Sequence, residues 1–192
     1  MGKPTGDLKH VLFLPTSIGR HSVRRIRGTK TVSIDQDAFK RALRGWASGV
    51  TVVTSRAGDK VHGMTVSAFS SVSVDPPLVL VCANQGSMTH SVIEEGGIFA
   101  VNILAEHQQD VSNLFASSKN ESSRLERVAW TAGETGAPLI DGALATIECK
   151  VHRAHREGSH TIYIGEVQAV RTSDAPPLLY YQGGYRSLHC EE

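Results

Sequence analysis

The run H-G-M-T-V-S-A-F-S-S-V-S-V-D-P-P-L-V-L-V-C-A-N, residues 62–84, decides how the rest of the chain is read. It sets Thr65, Ser67, Ser70, Ser71 and Ser73 along a β-patterned segment, breaks at Pro76-Pro77, and resumes as an apolar stretch. Proline cannot donate to a ladder, so Asp75-Pro76-Pro77 is a corner between two strands. Residues 78–83 are apolar on both faces and read as a central strand. Small hydroxyls and open backbone N–H groups at a strand edge suit a ligand that carries many hydrogen-bond acceptors.

Working outward, residues 50–55 form a β-branched strand, Gly58-Asp59 a turn, and a second strand starts at Val61, which together predict a hairpin. Before it, Phe39, Leu43 and Trp46, with Ala42 and Ala47, make one apolar helix stripe. Ser33 and Gln36 have capping-box spacing, and Gly45 and Gly49 end the stripe. Downstream, residues 87–95 are helical by pattern and closed by Gly96-Gly97, and 98–104 return as a strand. Residues 106–115 predict a short helix with Val111, Leu114 and Phe115 inward; the polar stretch 117–127 reads as a mobile loop.

In the last third, Ala145, Ile147, Cys149 and Val151 alternate with Thr146, Glu148, Lys150 and His152, the period of a half-buried strand. A turn at Gly158, a partner strand over 161–170 and a final segment over 178–188 follow. Sequential hairpins with a few short flanking helices predict a mainly β fold, an antiparallel barrel. Regular βαβ alternation and GxGxxG are both absent, which argues against a parallel dinucleotide fold.

With 192 residues, 40% hydrophobic and 20% charged, the chain fits one domain with its own core. A formal net charge of +1 gives no global reason to expect nucleic acid or an anionic membrane as partner. Within residues 1–30, however, Lys3, Lys9, Arg20, Arg24, Arg25, Arg27 and Lys30 face Asp7 alone. This reads as a flexible basic arm over 1–32, ahead of an ordered domain over 33–192; a transit-like leader is the alternative. The apolar run 11–14 is too short for a secretory signal. No segment approaches the ~20 apolar residues of a membrane span, so a soluble cytoplasmic protein is expected. Cys82, Cys149 and Cys190 show no CxxC spacing, and the first two read as small core residues. His152, His155 and His160 lack HExxH or cysteine partners, so no metal is expected.

Ordered blocks of the chain resemble the short-chain flavin reductase family. They begin with F-K-R-A-L-R-G-W-A-S-G-V-T-V-V-T at Phe39 and G-M-T-V-S-A-F-S-S-V-S-V-D-P-P-L at Gly63. F-A-V-N-I-L at Phe99, L-F-A at Leu114 and G-S-H-T-I-Y-I-G-E-V at Gly158 follow, with P-L-L-Y-Y at Pro177 and G-Y-R-S-L at Gly184 closing the series. The resemblance implies an FMN-binding split β-barrel working as a homodimer. It also implies hydride transfer from NADH or NADPH to FMN or FAD, often to supply a separate flavin-dependent monooxygenase. A non-catalytic flavin- or haem-binding carrier or sensor of the same fold is the alternative.

Site expectations follow from the residues and the resemblance together. Thr65, Val66 and Ser67, with Ser70 on the same edge, would offer donors to the flavin N5, O4 and ribityl oxygens; a water-bonded hydroxyl face is the plain alternative. The turn from Ala83 and Asn84 leads to a helix N-terminus, where Ser87 and Thr89 are candidates for the phosphate and Asn84 for the ribityl chain or ring edge. Simple capping by Ser87 needs no ligand. Asn102 serves either the ligand or a tie between strands; Phe115 lines either the dimethylbenzene edge or the core. His160 is the catalytic candidate near the nicotinamide, although Gly158-Ser159-His160 stands where the family usually has Gly-Asp-His. Tyr185 and Arg186 cover the site from the neighbouring subunit, or else belong to an ordinary terminal strand.

Overall fold

The described residues of the computed structural model are 34–188 without 118 and 120. The basic arm, Ser33 of the expected capping box and Cys190 therefore lie outside them. Helix α1 (Gln36–Arg44) and the two-residue strand β1 (Ser48–Gly49) lead into the hairpin β2 (Thr51–Ala57) and β3 (Lys60–Val66). Only Ser67 and Ala68 separate β3 from β4 (Phe69–Val74), and the Asp75-Pro76 corner turns the chain into β5 (Pro77–Asn84). Helix α2 (Met88–Gly96), capped by Ser87 and by left-handed Gly97, precedes β6 (Ile98–Ile103). A 3-10 turn (Glu106–Gln108) runs into α3 (Gln109–Ala116), and a second 3-10 segment (Glu121–Arg127) follows. Short strands β7 (Trp130–Ala132) and β8 (Pro138–Ile140) precede the long pair β9 (Ala145–Glu157) and β10 (His160–Thr172). The hairpin β11 (Leu179–Tyr181) and β12 (Gly184–Arg186) ends the described chain.

Seven strands form one antiparallel sheet in the order β3-β2-β6-β9-β10-β5-β4. Its two edge strands, β3 and β4, are consecutive in the chain and joined by two residues, so the sheet must curl until its edges meet. The result is a barrel left open along one seam, and the seam runs through the Thr65–Ser70 stretch that the sequence singled out. Val53, Val81, Val101, Phe99 and Tyr163 fill the barrel. A second core of Val50, Val52, Leu104, Phe115, Leu125 and Leu178 lies outside β2. Val52 and Val53 therefore enter different cores, because successive side chains leave a strand on opposite faces.

Several expectations change. The stripe on α1 is real but faces outward: Phe39 and Leu43 are each 56% exposed, and Trp46, beyond the helix end, is 78% exposed. The polar face expected of β9 is covered, since Thr146 and Glu148 are buried. Glu148 Oε2 accepts from the Thr135 N–H and hydroxyl, both at 2.8 Å, so the 133–137 turn lies over that face. Residues 121–127 are ordered into the second 3-10 segment with Arg124 and Leu125 buried, not a loose loop. Among the described residues no helix is long and apolar enough to cross a membrane.

Candidate functional site

The open seam is flanked by a cleft of about 450 Å³ between the end of β3, helix α3 and the β11–β12 hairpin. Thr65, Val66 and Ser67 form one wall and Ser112, Asn113 and Ala116 the other; Tyr180, Gly183, Gly184 and Tyr185 close the third side. The two walls are joined at the back, where the Thr65 hydroxyl donates to the Ser112 carbonyl at 2.7 Å. Because β3 is a sheet edge, its outer backbone groups pair with no strand among the described residues. Except where a side chain takes them, as Arg124 takes the Gly63 carbonyl, they remain available to a ligand in the cleft.

The third side depends on turn chemistry. Gln182 and Gly183 both have positive φ, 49° and 80°, and join Tyr181 to Gly184 in a two-residue turn that matches the twist of a hairpin. That turn places Tyr180 and Tyr185 opposite each other, with ring centroids 5.4 Å apart at 71°. The Tyr185 hydroxyl lies 2.9 Å from Ser112 Oγ and 2.8 Å from Asn113 Oδ1, which fastens the hairpin to α3.

A second cleft of about 490 Å³ meets the first at Ser67 and Tyr180 and continues past Ser70, Phe69, Leu80 and Trp46. Among the described residues lining the two clefts, Arg44 is the one charged side chain. The pair of clefts therefore offers hydroxyl, amide and aromatic surface with almost no fixed charge, as planar, neutral ring systems require.

Sequence-predicted residues fall into three groups. Thr65, Val66, Ser67 and Tyr185 line the first cleft and Ser70 the second. Tyr185 does so within its own chain. Asn84, Ser87 and His160 gather at the other end of β5: His160 pairs with Asn84, and its carbonyl accepts from Gln85 Nε2 at 2.9 Å. Asn84 Oδ1 accepts from the Gly86 N–H at 2.8 Å, and Ser87 caps α2 by accepting from the His90 N–H at 3.2 Å. The exposed His160 ring has Nδ1 2.9 Å from Ser159 Oγ, so serine supplies the orienting contact expected of aspartate. None of these three lines either cleft.

The third group is withdrawn from direct contact. Asn102 is fully buried: its Nδ2 donates to the Val52 carbonyl at 3.0 Å and the Thr54 hydroxyl at 3.1 Å, and its Oδ1 accepts from the Ile140 N–H at 2.8 Å. Every polar atom of the amide is used to tie β6, β2 and β8, which corrects the ligand reading. Phe115 is 1% exposed and packs in the outer core, and Ala83 is fully buried in the barrel. Thr89 is also fully buried, with its hydroxyl 2.7 Å from His62 Nδ1, so its side chain is committed inside the protein.

Residues 43–189 match the family described as the flavin reductase like domain. The chain belongs to the flavin reductase-like family. An NADH-dependent flavin reductase of Rhodococcus sp is 42% identical over 153 residues, 78% of this chain and 85% of the relative. The reductase component of 4-hydroxyphenylacetate 3-monooxygenase of Thermus thermophilus is 40% identical over 154 residues, covering 80% of this chain and 97% of the relative. Among solved structures, the NADH:FAD oxidoreductase of Streptomyces globisporus in complex with NAD and FAD fragments superposes with a TM-score of 0.76. It has 36% identity over 81% of this chain and 93% of that one.

In this flavin reductase-like protein, sequence reading did not reach Ser112, Asn113, Tyr180 and Gly183. The signal for the last two was present: Gln182-Gly183-Gly184 between two tyrosine-bearing runs is a hairpin turn, which the reading of 178–188 as one segment passed over. Ser112 and Asn113 carry no such signal, since they become wall residues only once α3 docks against Gly63. A Cβ there would meet Phe115 Cε1 at 2.9 Å and Thr54 Cγ2 at 3.0 Å, so glycine permits the approach.

Proposed function

We propose that this protein is an NAD(P)H:flavin oxidoreductase that passes hydride to FMN or FAD for a separate flavin-dependent monooxygenase. The observation that carries the reading is the pair of confluent clefts sharing Ser67 and Tyr180 beside the open edge of β3. Hydride transfer needs two ring systems stacked at van der Waals distance, and two joined slots with aromatic and hydroxyl walls meet that need. When bound, the flavin supplies the hydride-accepting ring and the nicotinamide supplies the hydride.

The chain's own part is to bind, orient and exclude water. Backbone groups of Val66 and Ser67 at the sheet edge orient the flavin ring edge and stabilise charge gained on reduction. Gly183 and Gly184 keep that side of the first cleft free of bulk, and Tyr180 stands where the two clefts join. Ser87 and the free N–H groups of the α2 N-terminus are the proposed seat of the phosphate; Thr89 contributes there only through its backbone. Thr89 touches His62, and Thr65 lies three residues further along β3, about 10 Å at strand spacing. A polyol chain ending in phosphate bridges such a gap. His160 is proposed to approach the nicotinamide side from the β9–β10 turn.

The outward apolar residues Phe39, Leu43 and Trp46 support a homodimer, in which a second copy packs on Phe39 and walls the outer side of the second cleft beside Leu43 and Trp46. The free thiols Cys82 and Cys149 fit the reducing cytoplasm. Purified protein is mixed with NADH or NADPH and FMN or FAD, and the loss of nicotinamide absorbance is followed. Turnover with at least one pairing is expected; none with all four would refute the reading.

A further inference from the structure

We propose that Arg124 is a positioning residue that sets the width of the first cleft from behind, an inference that rests on the flavin reading of that cleft. The side chain is 4% exposed and does not line the cleft. Its Nη1 donates to the Gly63 carbonyl at 2.9 Å, and its Nη2 donates to the Ser117 carbonyl. Gly63 lies on β3 two residues before Thr65. Ser117 caps the C-terminus of α3 directly after Ala116, and its N–H bonds the Asn113 carbonyl at 3.1 Å. One planar group therefore grips both walls immediately behind the residues that face the ligand.

This placement is costly for a merely structural bolt. A buried guanidinium loses hydration, its Nε has no partner, and the Glu121 carboxylate stands off at 3.8 Å. An apolar side chain of similar size would commonly stabilise such a site as well or better. The 3-10 segment has other anchors, since Leu125 is buried and its carbonyl accepts from Trp130 Nε1 at 3.1 Å. What an apolar residue cannot do is hold two carbonyls, on two different elements, at a fixed separation. A rigid fork of donors does this, and the single ammonium of lysine does not. Beneath the fork, Phe115 already packs against Gly63 without slack, so a lost grip moves the α3 wall instead of being absorbed.

The test measures flavin Kd by fluorescence quenching, steady-state KM and kcat, and melting temperature for the wild type, Arg124→Lys and Arg124→Gln. Two controls accompany them. Leu139→Ala truncates a small core cluster with Ala100 and Ala137, apart from the cleft; Ser67→Trp fills the cleft itself. For Arg124→Lys, flavin Kd and KM are expected to rise about tenfold, while kcat at saturating flavin falls less than about threefold. Arg124→Gln is expected to behave alike or worse; if it fails to fold, the lysine variant carries the test. Leu139→Ala is expected to lower the melting temperature at least as much yet keep flavin Kd within about twofold of wild type. Wild-type flavin affinity in Arg124→Lys overturns the inference, as does an equal loss of affinity in Leu139→Ala. If the wild type binds flavin and Ser67→Trp binds it equally well, the cleft assignment itself falls and the inference falls with it.

Discussion

Thr65 on β3 donates its hydroxyl to the carbonyl of Ser112 on α3 at 2.7 Å, so the two walls of the candidate cleft are bonded to each other before any ligand arrives. Pre-organisation of this kind lowers the entropy that binding must overcome. Replacing the hydroxyl by a methyl keeps the shape and breaks the tie. Thr65→Val is expected to lower folding stability by about 1 kcal/mol and to weaken flavin binding several-fold. Urea unfolding and a fluorescence titration check the two effects, and unchanged affinity would count against the wall assignment.

Tyr185 completes the same frame from the C-terminal hairpin. Its ring stays packed on Tyr180 in Tyr185→Phe, and only the contacts to Ser112 and Asn113 are lost. Flavin affinity is expected to fall about threefold to tenfold, with a stability change below about 1 kcal/mol because this hydroxyl is only partly buried. A variant that loses stability but keeps full affinity would place the ligand elsewhere.

Asn102 gives the opposite pattern. Its amide is the shared partner of Val52, Thr54 and Ile140 in the interior, and truncation leaves a buried carbonyl and a buried N–H unpaired. Asn102→Ala is expected to cost about 2–4 kcal/mol of stability. Flavin Kd measured on the remaining folded protein should stay at the wild-type value. Selective loss of flavin affinity without destabilisation would restore Asn102 to the binding site.

His62 predicts a pH effect on stability. Burial, its largest cause, holds the imidazole below its ordinary value of 6.5; the Arg124 guanidinium adds to this and Glu121 opposes it. The unfolded chain therefore binds the proton more readily than the folded one. As pH falls through 6.5 toward the lower folded value, the unfolded form takes up more protons and stability is lost; above 6.5 the effect vanishes. Denaturant midpoints across this range should slope upward with pH in the wild type. The slope should flatten in His62→Gln, and an unchanged slope in that variant would contradict the account.

The barrel was legible because its signals are local. Asp75-Pro76-Pro77, Gly58-Asp59 and Gly158 mark three of its corners, and the 62–84 run names both sides of the seam. Positions beside the cleft were legible only where the strand edge itself decides them, as for Val66 and Ser67. Asn102 looked like a possible ligand contact because a polar residue in an apolar run needs a partner, and Thr89 because it stands at a helix N-terminus. Sequence does not say whether the partner is a ligand or the protein itself; here it is His62 for Thr89 and two other strands, β2 and β8, for Asn102. Arg124 was read as part of a loose polar loop because its partners, the carbonyls of Gly63 and Ser117, are backbone groups that no residue pattern encodes. The outward face of α1 was missed for a related reason, since an amphipathic stripe does not specify whether its own chain or another covers it.

The position of the bound ring decides the function of both clefts, and a crystal structure of the protein grown with FMN tests it most directly. The expected result is a tricyclic ring held between the Val66–Ser67 edge of β3 and the Tyr180–Tyr185 hairpin, with its phosphate toward Ser87. A ring bound elsewhere, or a first cleft closed by the protein's own side chains, would contradict it.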